Sequence, residues 1–261
     1  MAIRDKRSLL RHTSVSGNIS SEASPELTVI IPTYNERENI RTLVEQTLEV
    51  LQGTHAEVIV VDDGSPDGTR QTVAELAEAD TRISLLERDG KQGLAGAVFA
   101  GAAAARGRFA AVMDADLSHD PEELPDMLAK AREGYDVVIG SRFVQGSAFV
   151  DQPMGRQLLS RVLNMGARVA LQLSQHDVLT GFALCRRDLI TEMPTRYSAN
   201  GFKWLVELLA TRRGLRVYEL PIVFHDRGGG ASKATPREAL SFGVLCARLT
   251  LWRMRRLLRR G

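Results

Sequence analysis

Apolar and polar positions alternate along most of this chain in two periods. Leu27-Thr28-Val29-Ile30-Ile31 is a short β-branched run stopped by Pro32. Behind it Ile40, Leu43, Val44, Leu48 and Leu51 recur at the spacing of one helix face, and Asn35 with Glu38 forms a helix-start pattern. The alternation then repeats. Residues 58–61 and 83–86 read as strands, and Asp67 opens a helix through Val73, Leu76 and Ala77. An Ala-rich helix spans 93–106, a fourth strand 110–113, a helix begins at Pro121, and a fifth strand covers 137–139. Unbroken apolar strands interleaved with helices predict an α/β fold with a mostly parallel sheet covered on both faces.

After Gly146 the pattern loosens. It predicts a long helix over 155–173, a short strand over 182–185 and a helix over 200–213 with Leu205, Leu208 and Leu209 apolar. A strand over 217–224 is interrupted by Pro221, and a Gly-rich basic loop leads into a C-terminal amphipathic helix. Residues 1–25 are polar and Ser-rich, which predicts a flexible arm before a folded domain over 26–233 and a basic amphipathic helix over 234–261.

Composition changes this picture only locally. A net charge of +2 says little, but residues 248–260, RLTLWRMRRLLRR, contain no acid. Such a segment suits an anionic lipid surface better than nucleic acid. Phe242, Leu245, Leu249, Trp252 and Arg256 share one helical spacing, which predicts an apolar stripe lying on a membrane. Arg248, Arg253, Arg255, Arg259 and Arg260 would reach headgroup phosphates. The alternative is a helix packed on the domain with a solvated basic end. No segment reads as membrane-spanning: 240–252 is too short and is broken by Arg248. Residues 1–25 hold no apolar core of a signal peptide. Cys185 and Cys246 form no CxxC pair, and the expectation is a reduced, cytoplasmic protein held peripherally at a membrane, with no zinc site.

The chemistry lies just past the strands. In an open parallel sheet ligands bind at the carboxyl ends. The first strand is followed by Tyr34 and Glu36, the second by Asp62-Asp63-Gly64-Ser65, and the fourth by Asp114-Ala115-Asp116. An Asp-x-Asp leaving a strand can turn both carboxylates to one point, and hard oxygen ligands suit Mg²⁺ or Mn²⁺. One of Asp62 and Asp63 would hold a base or ribose while the other caps the turn, and Tyr34 would flank the base. Gly93 and Gly96 superficially suggest a dinucleotide fingerprint, but the spacing is wrong and close helix packing explains them better. Arg227 and Lys233 flank a Gly-rich loop suited to a phosphate, and Arg142 is a further cation near the cleft; Arg156 and Arg161 head the long helix, either as phosphate ligands or as helix-surface charge.

Together these segments resemble family-2 glycosyltransferases of the GT-A fold, and among them the polyprenyl-phosphate (dolichol-phosphate) mannose synthases. The matching stretches are VIIPTYNERENI, VVDDGSPDGT, GLAGAVFAG, VMDADLSHDPEELP, VIGSRF, LTGFALCRR after Asp177, and PIVFHDRGGGASK. The resemblance implies a Rossmann-like sheet flanked by helices. Pro32, Tyr34, Glu36, Val61 and Asp63 would hold the nucleoside of GDP-mannose. Asp114, Ala115 and Asp116 would hold metal and diphosphate, and Ser118 stands where many members carry a further metal ligand, Gln. Arg142, Arg156, Arg227 and Lys233 would grip the phosphates of donor and polyprenyl-phosphate acceptor, with Asp116, Arg142, Arg227 and Lys233 carrying the reaction. A separate membrane-anchoring subunit is a further implied partner. An acceptor phosphate is already ionised at neutral pH, so no general base is needed, and inversion would give a β-linked mannosyl phosphate. Two other readings are a transferase using a UDP-sugar and a non-catalytic nucleotide-sugar-binding subunit.

Overall fold

A computed structural model of the chain describes residues 15–16, 24–90, 92–194, 197, 203–226 and 236–258. In chain order the elements are β1 (Val15–Ser16), β2 (Leu27–Thr33), α1 (Arg37–Val50), β3 (Ala56–Asp62), α2 (Thr69–Ala79), β4 (Ile83–Glu87), α3 (Leu94–Ala104) and β5 (Phe109–Val112). A 3-10 turn at Pro121–Glu123 leads into α4 (Leu124–Arg132), followed by β6 (Val137–Ser141), β7 (Ala148–Val150), α5 (Met154–Leu171) and β8 (Ala183–Arg186). The last elements are α6 (Arg187–Thr191), α7 (Trp204–Thr211), β9 (Val217–Pro221), β10 (Val223–His225) and α8 (Pro236–Leu258).

The main sheet runs β1-β4-β3-β2-β5-β8-β6-β9. The β4-β3-β2-β5 block and the β6-β9 pair are parallel, while β8 is antiparallel to both neighbours and β1 is antiparallel to β4. The predicted α/β architecture is therefore present. Short β1 falls inside the stretch expected to be a flexible arm. The strand expected over 217–224 is two strands, split at Ile222 beyond Pro221, and β10 pairs with β7 in a separate ribbon that the pattern did not announce.

Period-two side chains explain the two cores. Ile59 and Val61 of β3 join one cluster with α3 and α7, while Val58 and Val60 join the other with α1, α2 and α4. Val58, Ile59, Val60 and Val61 of β3 are all buried, so the strand's centre has no polar face. Each such side chain contributes roughly 1.5–3 kcal/mol by leaving water. Gly101 is where α3 closes onto the sheet: an added Cβ would lie 2.5 Å from Ile30 Cγ2. Gly101 thus serves packing, as expected, whereas Gly93 stands at the N-cap with φ 91.

Two local expectations are corrected. First, the Asn35/Glu38 box does not form; Asn35 has φ 60 and the N-cap is Glu36, with no side-chain cap bond. The backbone N–H groups of Asn35, Glu36 and Arg37 donate instead to Ser65 Oγ (2.9 Å), Thr69 Oγ1 (3.0 Å) and Asp67 Oδ2 (3.1 Å). A neighbouring loop caps α1, so local sequence could not show it. Second, the C-terminal stripe faces protein. Leu245 and Leu249 are buried in the core, and Phe242 and Cys246 pack against it. Arg253 donates to the carbonyl of Leu171, closing the end of α5, rather than standing free for headgroups. Trp252 is half-buried, and the side chains of Arg256, Arg259 and Arg260 lie outside the described residues.

Candidate functional site

The strand order brings the predicted loops together. In register, Pro32 lies beside Val61 and Thr33 beside Asp62, while Met113 N–H donates to the Ile30 carbonyl (3.1 Å). The carboxyl ends of β2, β3 and β5 thus form one edge, as the resemblance implied.

Asp62 and Asp63 divide their roles. Asp62, fully buried, accepts from the N–H groups of Gly64 (3.0 Å) and Ser65 (2.9 Å), from the Ser65 hydroxyl, and from Arg70 Nε (2.8 Å). It caps the turn. Asp63 pairs with buried Arg88 and accepts from the backbone of Gln92 (3.0 Å) and Gly93 (2.9 Å). Burial pushes the Asp63 carboxyl up, against the pull of Arg88, and burial likewise pushes the Arg88 guanidinium down. Both carboxylates are thereby fixed, and Asp63 joins the β3 end to the start of α3. Val61 and Pro32 are buried, so Val61 can offer a ligand only its backbone; Tyr34 is exposed and Glu36 half-buried with its carboxylate bonded to Asn39.

The Asp114–Asp116 turn leaves one buried carboxylate oxygen, Asp114 Oδ1, unpartnered among the described residues. Gly181 lies behind the same carboxylate; an added Cβ there would be 2.5 Å from Asp114 Oδ2. A buried carboxylate oxygen without a donor carries a large desolvation cost, which a bound cation would offset. Asp116 Oδ1 accepts from Ser118 N–H (3.2 Å) and from the Ser118 hydroxyl (2.6 Å). Ser118 is fully buried and spends its proton on Asp116, so it orients that carboxylate. Leu117 between them has φ 59, a left-handed kink that folds the turn back. Among the described residues no group of three or more His, Cys, Asp or Glu side chains converges on one point. A metal here would rest on Asp114 and Asp116, with phosphate oxygens and water completing its shell, as hard cations at phosphate sites do.

Part of the basic side is described. His225 N–H donates to the Ser118 carbonyl (3.1 Å), and His119 forms a bridge with Phe224. β10 therefore runs beside Ser118, while Arg227 and Lys233 lie outside the described residues. Arg142 holds a bidentate pair with buried Asp177, at 2.7 Å and 2.9 Å, and its guanidinium lies over the Phe224 ring (5.1 Å). Arg156 pairs with Asp226 at 3.2 Å on the surface, and Arg161 lies over Phe143. Neither Arg142 nor Arg156 is thus a bare cation. Sequence reasoning missed Asp177, Glu219 and Asn164, whose partners are far away in the chain; Asp177 could have been suspected only as the acid preceding the LTGF stretch.

Comparison with known proteins agrees with this geometry. The model of Glycosyl transferase family 2 matches residues 28–193. A dolichol-phosphate mannosyltransferase of Pyrococcus furiosus is 35% identical over 87% of this chain and 64% of its own length. A polyprenol monophosphomannose synthase of Mycolicibacterium smegmatis is 39% identical over 78% of this chain and 79% of its own. The chain thus spans under two thirds of the Pyrococcus relative. Among solved structures, glucosyl-3-phosphoglycerate synthase of Mycobacterium tuberculosis with Mn²⁺, UDP-glucose and phosphoglyceric acid has a TM-score of 0.63 at 21% identity, covering 86% of this chain and 80% of that one. That likeness shows the shared GT-A fold.

Proposed function

The chain belongs to glycosyl transferase family 2, and we propose that it transfers mannose from GDP-mannose to a polyprenyl phosphate with inversion at the anomeric carbon. The observation that carries this reading is the 39% identity to a polyprenol monophosphomannose synthase over 78% of the chain. The site's chemistry supports it. Asp114 and Asp116 would hold Mg²⁺ or Mn²⁺, which neutralises charge on the leaving diphosphate. Asp62, Asp63 and the loop around Tyr34 shape the nucleoside side. Arg142, Arg227, Lys233 and Arg156 serve the acceptor phosphate, which needs orientation and charge balance but no base.

The acceptor's tail stays in a bilayer, since each buried CH₂ is worth about 0.8 kcal/mol. Among the described residues no helix is long and apolar enough to cross a membrane. The lipid-facing surface we assign is the outer side of α5 together with that of α8. Met154, Leu158, Leu159, Val162, Met165 and Val169 of α5 stand exposed, as do Leu240, Val244, Leu251 and Met254 of α8. Residues 154–171 carry Arg156, Arg161 and Arg168 and no acid. An apolar face on α5 with Arg161 and Arg168 beside it complements an anionic bilayer, and the two free cysteines suit its reducing, cytoplasmic side.

The test is incubation of the purified protein with labelled GDP-mannose, Mg²⁺ or Mn²⁺ and polyprenyl phosphate in liposomes. A mannosyl lipid should form, EDTA should abolish it, and Asp116→Ala should stay folded while losing nearly all turnover. Full activity in EDTA, or transfer from UDP-glucose but not from GDP-mannose, defeats the reading.

A further inference from the structure

The antiparallel strand β8 is inserted between parallel strands β5 and β6, and this has a consequence for the site. Val112 and Ile139 both register with Ala183, and Gly140 N–H donates to the Phe182 carbonyl (3.0 Å). The segment just before β8 therefore lies between the carboxyl ends of β5 and β6. Those ends carry Asp114 and Arg142. The segment touches both: Gly181 backs the Asp114 carboxylate, and Asp177 grips the Arg142 guanidinium through both oxygens and accepts from the Arg142 backbone N–H (3.1 Å).

It is also fixed from the outside. Asn164, buried on the inner face of α5, accepts with Oδ1 from the N–H groups of Val178 (2.9 Å) and Leu179 (3.1 Å). Glu219 on β9 accepts from Asp177 N–H (3.0 Å), His176 N–H (2.8 Å) and the Ser141 hydroxyl (2.9 Å). Asp177, Val178 and Leu179 are thus hydrogen-bonded to the end of β6, to α5 and to β9. Two strand spacings separate β5 from β6, roughly 10 Å. That span seats a diphosphate at one end and an acceptor phosphate at the other, with the sugar carbon between them.

We infer that the Asp177–Gly181 segment is a gauge between the two substrates, and that Asp177 is a positioning residue that aims Arg142 at the acceptor phosphate. This rests on the phosphate acceptor proposed above. Arg142 has five N–H donors, and Asp177 takes two, at Nε and Nη2. The remaining edge stays available for a phosphate, in a plane set by the bidentate pair and by the Phe224 ring. Asp177 lowers the net charge facing the phosphate, so its benefit is in orientation and not in attraction.

The experiment is steady-state kinetics of Asp177→Asn on the full chain, with polyprenyl phosphate in detergent micelles. Transfer and hydrolysis of GDP-mannose to free mannose are followed in parallel. The amide keeps one acceptor oxygen and removes the charge. The turnover number for transfer should fall by about a hundredfold, the loss typical of a misplaced group. The acceptor KM should stay level or drop, the GDP-mannose KM should hold within about twofold, and hydrolysis should rise relative to transfer. Transfer and hydrolysis falling together in proportion to folded protein, or unchanged transfer, overturns the inference. Asn164→Ala, which frees the segment without touching the ion pair, is judged by the same ratio and serves if Asp177→Asn does not fold. A wild-type protein that mannosylates a different phosphate-bearing acceptor defeats the lipid assignment alone, and the ratio measured with that acceptor still decides the gauge. A wild type that transfers to no phosphate defeats both.

Discussion

The helices α5 and α8 are both amphipathic, both carry arginines and pack side by side, yet their apolar stripes end in different places. On α8 Leu245 and Leu249 enter the core, with Phe242 packed against it. On α5 the inward positions are Asn164, Ala167 and Leu171, while its bulkier apolar side chains face outward. The difference teaches that amphipathicity reveals an axis and not a direction. On α5 the side facing protein carries a polar and a small residue, Asn164 and Ala167, ahead of Leu171, because the buried Asn holds the backbone of Val178 and Leu179. Reading the hydrophobic side as the protein side would have placed that helix backwards. The alternative weighed for the C-terminal helix, docking on the domain, holds for Leu245 and Leu249.

The contrast can be broken most directly on α5. Replacing Leu158, Val162 and Met165 together by Ser should weaken sedimentation with anionic liposomes by about a thousandfold, at roughly 1.5 kcal/mol per side chain. The melting temperature should hardly move, since these side chains are exposed. Undiminished liposome binding would remove α5 from the membrane. The reciprocal change on α8, Leu249→Ala, should cost about 2–5 kcal/mol of stability in denaturant unfolding. Its folded fraction should bind liposomes as before; a loss of lipid binding with no loss of stability would mean that the stripe faces lipid after all.

Smaller changes sharpen the comparison. Arg161→Gln on α5 and Arg248→Gln on α8 should each weaken binding by about 1 kcal/mol, on anionic vesicles only, and less at high salt. Equal losses on neutral vesicles would show that neither cation meets a headgroup. Asp67→Asn lies away from both helices and is a control. Burial raises the Asp67 carboxyl, but the Thr69 hydroxyl and N–H and the Arg37 N–H outweigh it and hold it below its usual 3.8. A lowered acid stabilises the fold above that usual value and loses the contribution as pH falls through its lowered one. The variant should therefore be about 1 kcal/mol less stable near neutrality, equal to wild type in strong acid, and unchanged toward liposomes. A stability difference that persists in acid would assign the cost to shape and not to charge.

Much of the fold was legible because buried parallel strands must be apolar throughout. Val58 to Val61 and Ala110 to Met113 show no alternation, and the acidic loops follow directly on them. The Asp114–Asp116 turn was legible for the same reason. What remained hidden depends on partners distant in the chain. Glu219 meets Asp177 across forty-two positions, and Arg142 meets Asp177 across thirty-five. No local spacing encodes such pairs. Ser118 was legible only as the position where relatives carry a further ligand; its hydroxyl's bond to the Asp116 carboxylate had no signal of its own. The Asn35/Glu38 box failed because the loop over 65–69 reached the same N–H groups.

That tertiary cap ties the loops after β2 and β3 into one opening event. The amides of Asn35, Glu36 and Arg37 are held by Ser65, Thr69 and Asp67, not by their own helix. Their exchange with deuterated solvent is therefore gated by departure of the second loop, and the three should exchange at a common rate, slower than the fraying of an ordinary first turn.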